Sequence, residues 1–61
     1  MNKEVTNATN LRDEKYDGYG HIVVTVHDTE TDTYTTSTAE YWPGKSEAQA
    51  YAEAENDALN R

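Results

Sequence analysis

Residues 21 to 27 read His-Ile-Val-Val-Thr-Val-His, the most strongly patterned stretch of the chain. The residues between the two histidines are all Ile, Val or Thr, whose β-branched side chains suit a pleated strand. Successive side chains of a strand point to opposite faces, so Ile22, Val24 and Val26 share one face. The stretch therefore predicts a strand with an aliphatic face that must be covered.

A second strand is predicted over residues 33–41, Thr-Tyr-Thr-Thr-Ser-Thr-Ala-Glu-Tyr, which contain neither Gly nor Pro. The segment between the strands, Asp28-Thr-Glu-Thr-Asp32, has the composition of a loop, and Asp32 tolerates a left-handed backbone. We predict an antiparallel hairpin with strands at about 20–28 and 33–41.

The register of this hairpin is set by the face that must be buried. A tip of three residues would place Glu40 opposite Ile22, on the aliphatic face. We therefore expect a tip of two or four residues, which also brings Tyr41 onto that face and gives the pairs Val26 with Thr35, Val24 with Ser37, and Ile22 with Ala39.

A helix is predicted over residues 46–60. Trp42-Pro-Gly-Lys45 ends the second strand, because proline cannot continue the ladder. Ser46-Glu-Ala-Gln49 then matches a capping box. The predicted apolar face is mostly alanine, which suits close packing on a sheet or on a second helix; its members are Tyr51, Ala54 and Ala58, flanked by Ala48, Ala52 and Leu59.

Residues 1–19 are polar, mixed in charge and without a clear period, so we predict a polar N-terminal arm. An alternative is a short helical turn that Asn10 caps. Asp17-Gly-Tyr-Gly20 has the residues of a turn and ends the arm. Residues 20–61 then form a ββα domain of the α+β class.

A homodimer is expected because this core is thin. The chain has 61 residues, of which 34% are hydrophobic, and no cysteine that could form a disulfide or a thiolate metal site. A two-stranded sheet is marginally stable by itself. We expect the hairpin edge or the alanine face of the helix to form the dimer contact.

The same composition argues against a membrane protein and against an enzyme. No apolar stretch is long enough to span a bilayer and no targeting signal is evident, so we expect a cytoplasmic protein. His21 and His27 lie about 20 Å apart at the rise of a strand and cannot share one site. The acidic loop lacks the glycine of a calcium-binding loop, because Thr33 occupies that position. We expect no catalytic residue, metal or cofactor.

The net charge of −7 disfavours direct binding to nucleic acid and favours a basic protein partner. Residues 28–61 hold eight acidic and two basic residues, so the acidity is concentrated there. Carboxylates near exposed aromatic rings can occupy a groove built for phosphates; Tyr16 or Tyr19 are further aromatic candidates. The candidate partner-binding residues are Asp28, Glu30, Asp32, Tyr34, Trp42, Glu53, Glu55 and Asp57.

In general character the chain resembles small phage-encoded inhibitors of host enzymes, such as anti-CRISPR proteins, anti-restriction proteins and inhibitors of uracil-DNA glycosylase. The likeness rests on length, acidity, the lack of cysteine and a hairpin followed by a helix at Trp42-Pro-Gly-Lys-Ser46. It implies inhibition of a nucleic-acid-handling protein in the host cytoplasm. Two alternatives stay open: acidity that serves only solubility, and an assembly module that pairs through its hairpin edge or alanine-rich helix face.

Overall fold

The computed structural model describes residues 2–61. Three antiparallel strands, β1 (Lys3–Arg12), β2 (Gly20–Asp28) and β3 (Thr33–Tyr41), are followed by helix α1 (Glu47–Leu59). The strands form one sheet in the order β1-β2-β3, so β2 is central. The helix packs across β2 and β3 and barely reaches β1. The α+β class, with an antiparallel hairpin and a C-terminal helix, is confirmed.

The predicted hairpin is also confirmed in its bounds and its register. Val26 pairs with Thr35, Val24 with Ser37 and Ile22 with Ala39. Asp32, at the end of the four-residue tip, has a left-handed backbone with φ 54°. Ser46 caps the helix and forms the capping box with Gln49, as predicted.

The N-terminal segment differs from the prediction, because residues 3–12 form an edge strand instead of a polar arm. This strand pairs with β2 along its length, with a bulge between Val5 and Asn7. All its residues except Lys3 are exposed, so its sequence needs no apolar alternation. Asn10 lies within the strand and caps no helix. Met1, the first residue of the predicted arm, lies outside the described residues.

The core fills the space between one sheet face and the helix. Three alanines of the helix, Ala50, Ala54 and Ala58, are buried there. They lie against the following side chains of β2 and β3: Ile22, Val24, Val26, Ala39 and Tyr41. Alanine at every fourth position lets the helix axis approach the sheet closely.

The apolar helix face was predicted with a shifted centre. Tyr51 is 38% exposed, while Ala50 lies in the core with no exposed surface. The phenol ring is too large for the narrow helix–sheet gap and lies beside it, where it lines a groove with Ala8 and Ile22. Of the predicted face, Ala54 and Ala58 are covered by the chain's own sheet, while Ala48, Tyr51 and Ala52 are exposed, so a dimer contact through the helix stays a prediction.

Candidate protein-binding surface

The basic side chains of the protein are engaged internally. Lys3 Nζ donates to the carbonyl oxygens of Leu59 and Arg61, at 3.3 and 2.6 Å, where the end of the helix carries partial negative charge. Lys15 lies over the ring of Tyr16, 5.7 Å from its centroid. The other three form ion pairs: Arg12 with Glu47 at 3.4 Å, Lys45 with Glu53 at 2.6 Å, and Arg61 with Asp57 at 2.9 Å.

Most carboxylates are left without a basic partner as a result. Of the twelve acidic residues, all within residues 2–61, only Glu47, Glu53 and Asp57 have a Lys or Arg nitrogen within 4.0 Å, and the remaining nine do not. Both ends of the sheet carry such carboxylates, so the outward electrostatic field of the protein is negative.

The hairpin tip brings together three of the candidate acids. Asp28 Oδ1 accepts from the backbone N–H groups of Glu30 and Thr31, at 2.9 and 3.4 Å, and so closes the turn. Glu30 accepts from the Asn2 amide at 2.9 Å, which ties the tip to the start of β1. These bonds hold the carboxylates in place without neutralising their charge.

Tyr34 extends this acidic tip with an exposed aromatic ring. Its ring stacks on His27, with centroids 4.5 Å apart and planes inclined by 16°. His27 Nε2 in turn lies 2.9 Å from Asp32 Oδ1. Tyr34 nevertheless keeps 66% of its surface exposed, so it is positioned by its neighbour and free to contact a partner.

The three candidate acids of the helix lie on two different flanks. Glu53 and Asp57 face the β3 side, where Ser37 of the buried sheet face donates a hydrogen bond to Asp57. This bond is the main reason that the pKa of Asp57 is lowered; Arg61 also lowers it, and burial opposes them. Glu55 is half-buried and lies on the other flank, about 200° around the helix from Glu53.

Trp42 stands at the opposite end of β3 from Tyr34, about 27 Å away at the rise of an antiparallel strand. It is 47% exposed, and Lys45 Nζ lies 5.1 Å from its ring centroid. The candidate residues therefore do not form one patch: Tyr34 and the acidic tip lie at one end, Trp42 at the other, and the helix acids behind.

Trp42 also lines a cavity of about 490 Å³ that the sequence analysis missed. Its remaining walls come from the turn after β1 and from the ends of β2 and β3; they are Asp13, Tyr19, Gly20, His21, Glu40 and Tyr41. The sequence predicts an arm over residues 1–19 and therefore gives Asp13 and Tyr19 no neighbours. The sequence signal that could have indicated the cavity is the hairpin register, which places His21 opposite Glu40.

Within residues 2–61, no group of three or more His, Cys, Asp or Glu residues is arranged to hold a metal ion. No helix in that range is long and apolar enough to cross a membrane.

The chain matches no protein-family model, no curated protein and no solved structure at a significant level of similarity.

Proposed function

We propose that this protein is a small acidic inhibitor that binds a protein with a basic, nucleic-acid-handling surface and blocks it. The observation that carries the proposal is the charge pairing: within residues 2–61 the basic side chains are engaged internally, while nine carboxylates have no Lys or Arg nitrogen within 4.0 Å. A basic groove would supply the missing counter-charges and would be attracted from a distance.

The dimensions of the protein suit this role. Its Cα atoms extend over 40 × 18 × 12 Å. A length of 40 Å corresponds to about 12 base pairs of duplex at 3.4 Å per step, and the protein is narrow enough to lie in a groove that holds nucleic acid. Acidic ends with the aromatic side chains Tyr34 and Trp42 provide charge and hot-spot contacts along that length.

The class of inhibitor that we propose is the phage type, similar in character to anti-CRISPR and anti-restriction proteins, and acting in the cytoplasm of the host cell. Small size, acidity and the lack of cysteine support it. An inhibitor of this kind needs a surface and no chemistry of its own, so the proposal includes no catalysis and no cofactor.

The test is to identify the partner by affinity capture from host extract and then to measure the Kd for that partner. We expect the Kd to rise by about tenfold or more between about 50 and 200 mM salt, and double-stranded DNA to compete for the partner. A Kd that does not change with salt, or a partner that holds DNA and this protein simultaneously, would overturn the proposal.

Two double variants with equal net charge provide the matched control. Glu30→Gln with Glu55→Gln removes carboxylates that have no Lys or Arg partner among the described residues, whereas Glu47→Gln with Glu53→Gln removes carboxylates that Arg12 and Lys45 already neutralise. We expect the first pair to weaken binding by about tenfold and the second to have a smaller effect. Equal effects would mean that only net charge matters, and acidity would then serve solubility.

A second candidate function is an assembly module that pairs through the edge of β3, in the first place with a second copy. β3 pairs with β2 without a bulge, and it contains no Lys or Pro, the residues that usually protect an edge strand. The edge of β1, by contrast, has a bulge and Lys3. The β3 edge is therefore the better contact for a homodimer with a continuous six-stranded sheet.

A proline substitution separates this function from the first. The backbone N–H of Thr29 donates to the carbonyl oxygen of Asn2, which fixes the residues of β2 that bond to β1. Because the direction of the backbone N–H groups alternates along each antiparallel strand, the N–H of Thr38 points away from β2. Thr38→Pro therefore blocks the outer edge without removing a bond of the ladder. We expect a sedimenting dimer to become a monomer on this change. A wild-type chain that sediments as a monomer at high micromolar concentration contradicts the dimer.

A further inference from the structure

We infer that the cavity at the end of the sheet, formed by Asp13, Tyr19, Glu40 and Trp42, is a receptor for an arginine side chain of the partner. The inference rests on the proposed function for the basic character of that partner. The cavity would give the general attraction between charges one particular site on this protein and one particular side chain on the partner.

The cavity is built from fixed parts. The backbone N–H of Asp13 donates to the carbonyl of Tyr19 at 2.9 Å, which closes the turn after β1. Gly18 lies against Pro43, since a Cβ there would be 3.1 Å from the proline Cγ. Its φ of +85° also suits glycine. The turn is thus held against the Trp42-Pro43 corner, and Tyr19 and Trp42 are preorganised as walls.

Two carboxylates of the cavity have no basic partner. Neither Asp13 nor Glu40 has a Lys or Arg nitrogen within 4.0 Å among the ion pairs of residues 2–61. Asp13 Oδ1 accepts from the N–H groups of Lys15 and Tyr16, which orients the carboxylate. The nearby cation Lys45 is neutralised by Glu53, and only 14% of its side chain is exposed. The cavity therefore attracts a cation and repels phosphate.

The aromatic walls select for a planar cation. Tyr19 and Trp42 each have 47% of their surface exposed, so a partner can reach the uncovered part of each ring; Lys45 Nζ lies 5.1 Å from the Trp42 centroid. A guanidinium group stacks on aromatic rings and also forms a two-pronged hydrogen bond with a carboxylate, whereas an ammonium group is a compact, strongly hydrated charge. A volume of about 490 Å³ accommodates one such side chain with its water.

The experiment needs no partner protein. We would titrate the ¹⁵N-labelled chain with N-acetyl-L-arginine N-methylamide and follow the amide signals by NMR. The matched neutral probe is the citrulline analogue, which has the same shape without the charge. We expect saturable shifts at His21, Glu40 and Trp42 with the arginine probe, and a Kd weaker by about tenfold with the citrulline probe.

Variants then locate the site. Glu40→Gln is expected to weaken binding of the arginine probe by about tenfold. Glu4→Gln, an equal change of charge at the far end of the sheet, is expected to leave the Kd unchanged. Trp42→Leu removes the ring and is expected to weaken binding of the arginine probe as well. The amide spectrum shows whether this variant is folded.

The outcomes separate the cavity from the proposed function. Equal binding of both probes, or equal losses in Glu40→Gln and Glu4→Gln, would overturn the arginine receptor. If a captured basic partner binds Glu40→Gln as tightly as wild type, the receptor is overturned while the proposed function stands. If the probe binds as expected but partner binding does not change with salt, the receptor stands and the proposed function fails.

Discussion

Tyr41 donates a hydrogen bond from its hydroxyl group to the side-chain oxygen of Asn10, 2.6 Å away. Tyr41 ends β3 and Asn10 lies in β1, so the phenol ring crosses the central strand to join the two edges of the sheet. It crosses at Gly20, where a Cβ would lie 2.5 Å from the Tyr41 hydroxyl oxygen. One side chain therefore ties the N-terminal strand to the hairpin, and its passage depends on a residue without a side chain.

Tyr41→Phe tests the contribution of this hydrogen bond. The ring stays in the core, but the amide oxygen of Asn10 loses its donor, so we expect the free energy of unfolding to fall by about 1 kcal/mol. Urea denaturation followed by circular dichroism measures the change. Tyr34→Phe is the control, since its hydroxyl is on an exposed ring, and it should have little effect. Equal losses in the two variants would contradict the structural role of Tyr41.

Gly20→Ala tests the crossing point itself. The new Cβ would lie 2.5 Å from the Tyr41 hydroxyl oxygen and 2.7 Å from the Leu11 carbonyl oxygen, so the ring or the strand must move. We expect a loss of about 1–3 kcal/mol of stability from this overpacking. Gly44→Ala is the control, because its Cβ would make its closest contact, 3.4 Å, with Trp42 Nε1. A Gly20→Ala protein as stable as Gly44→Ala would mean that Tyr41 does not pass over Gly20.

Deletion of residues 2–12 distinguishes an integral strand from an arm. Removing β1 leaves one edge of β2 unpaired and Tyr41 without Asn10, so we expect the hairpin and helix to lose cooperative unfolding at 25 °C. Thermal unfolding measured by circular dichroism provides the test. A truncated chain that melts at the wild-type temperature would show that residues 2–12 form an arm that the fold does not need.

The hairpin and helix could be predicted because their signals are local. The run Ile22 to Val26 has to bury one face, and that requirement also sets the register with β3. Ser46 and Gln49 mark the start of the helix by their own hydrogen bonds. These features need no information about distant residues.

The N-terminal strand and the cavity could not be predicted in the same way. β1 is an exposed edge with a bulge, so its residues are under no pressure to alternate, and its pairing is decided by the free edge of β2. The cavity depends on β1 in turn, because Asp13 and Tyr19 reach Glu40 only once that strand has docked. The predicted centre of the apolar helix face was displaced because the hydrophobicity pattern places Tyr51 there, whereas the narrow gap between helix and sheet admits only alanine.

The Ser37–Asp57 hydrogen bond predicts how stability depends on pH. The bond from the buried Ser37 hydroxyl, helped by Arg61, lowers the pKa of Asp57 below its ordinary value of 3.8 in the folded protein. A carboxyl group with a lowered folded pKa stabilises the fold above its unfolded pKa, and this contribution is lost as the pH falls through the folded value. The contribution should therefore be fully present at neutral pH and disappear in acid, below about pH 3.8.

Ser37→Ala should raise the pKa of Asp57 towards its ordinary value, because Arg61 alone then favours the carboxylate. The titration of the Asp57 side-chain carbon signal by NMR measures this pKa directly. The difference in stability between wild type and Ser37→Ala should be largest near neutral pH and should shrink in acid. Glu53→Gln, which removes a carboxylate without touching Ser37, provides the control, and an unchanged Asp57 pKa in Ser37→Ala would contradict the assignment. A stability difference that is constant from neutral pH into acid would show that Ser37 acts through packing alone.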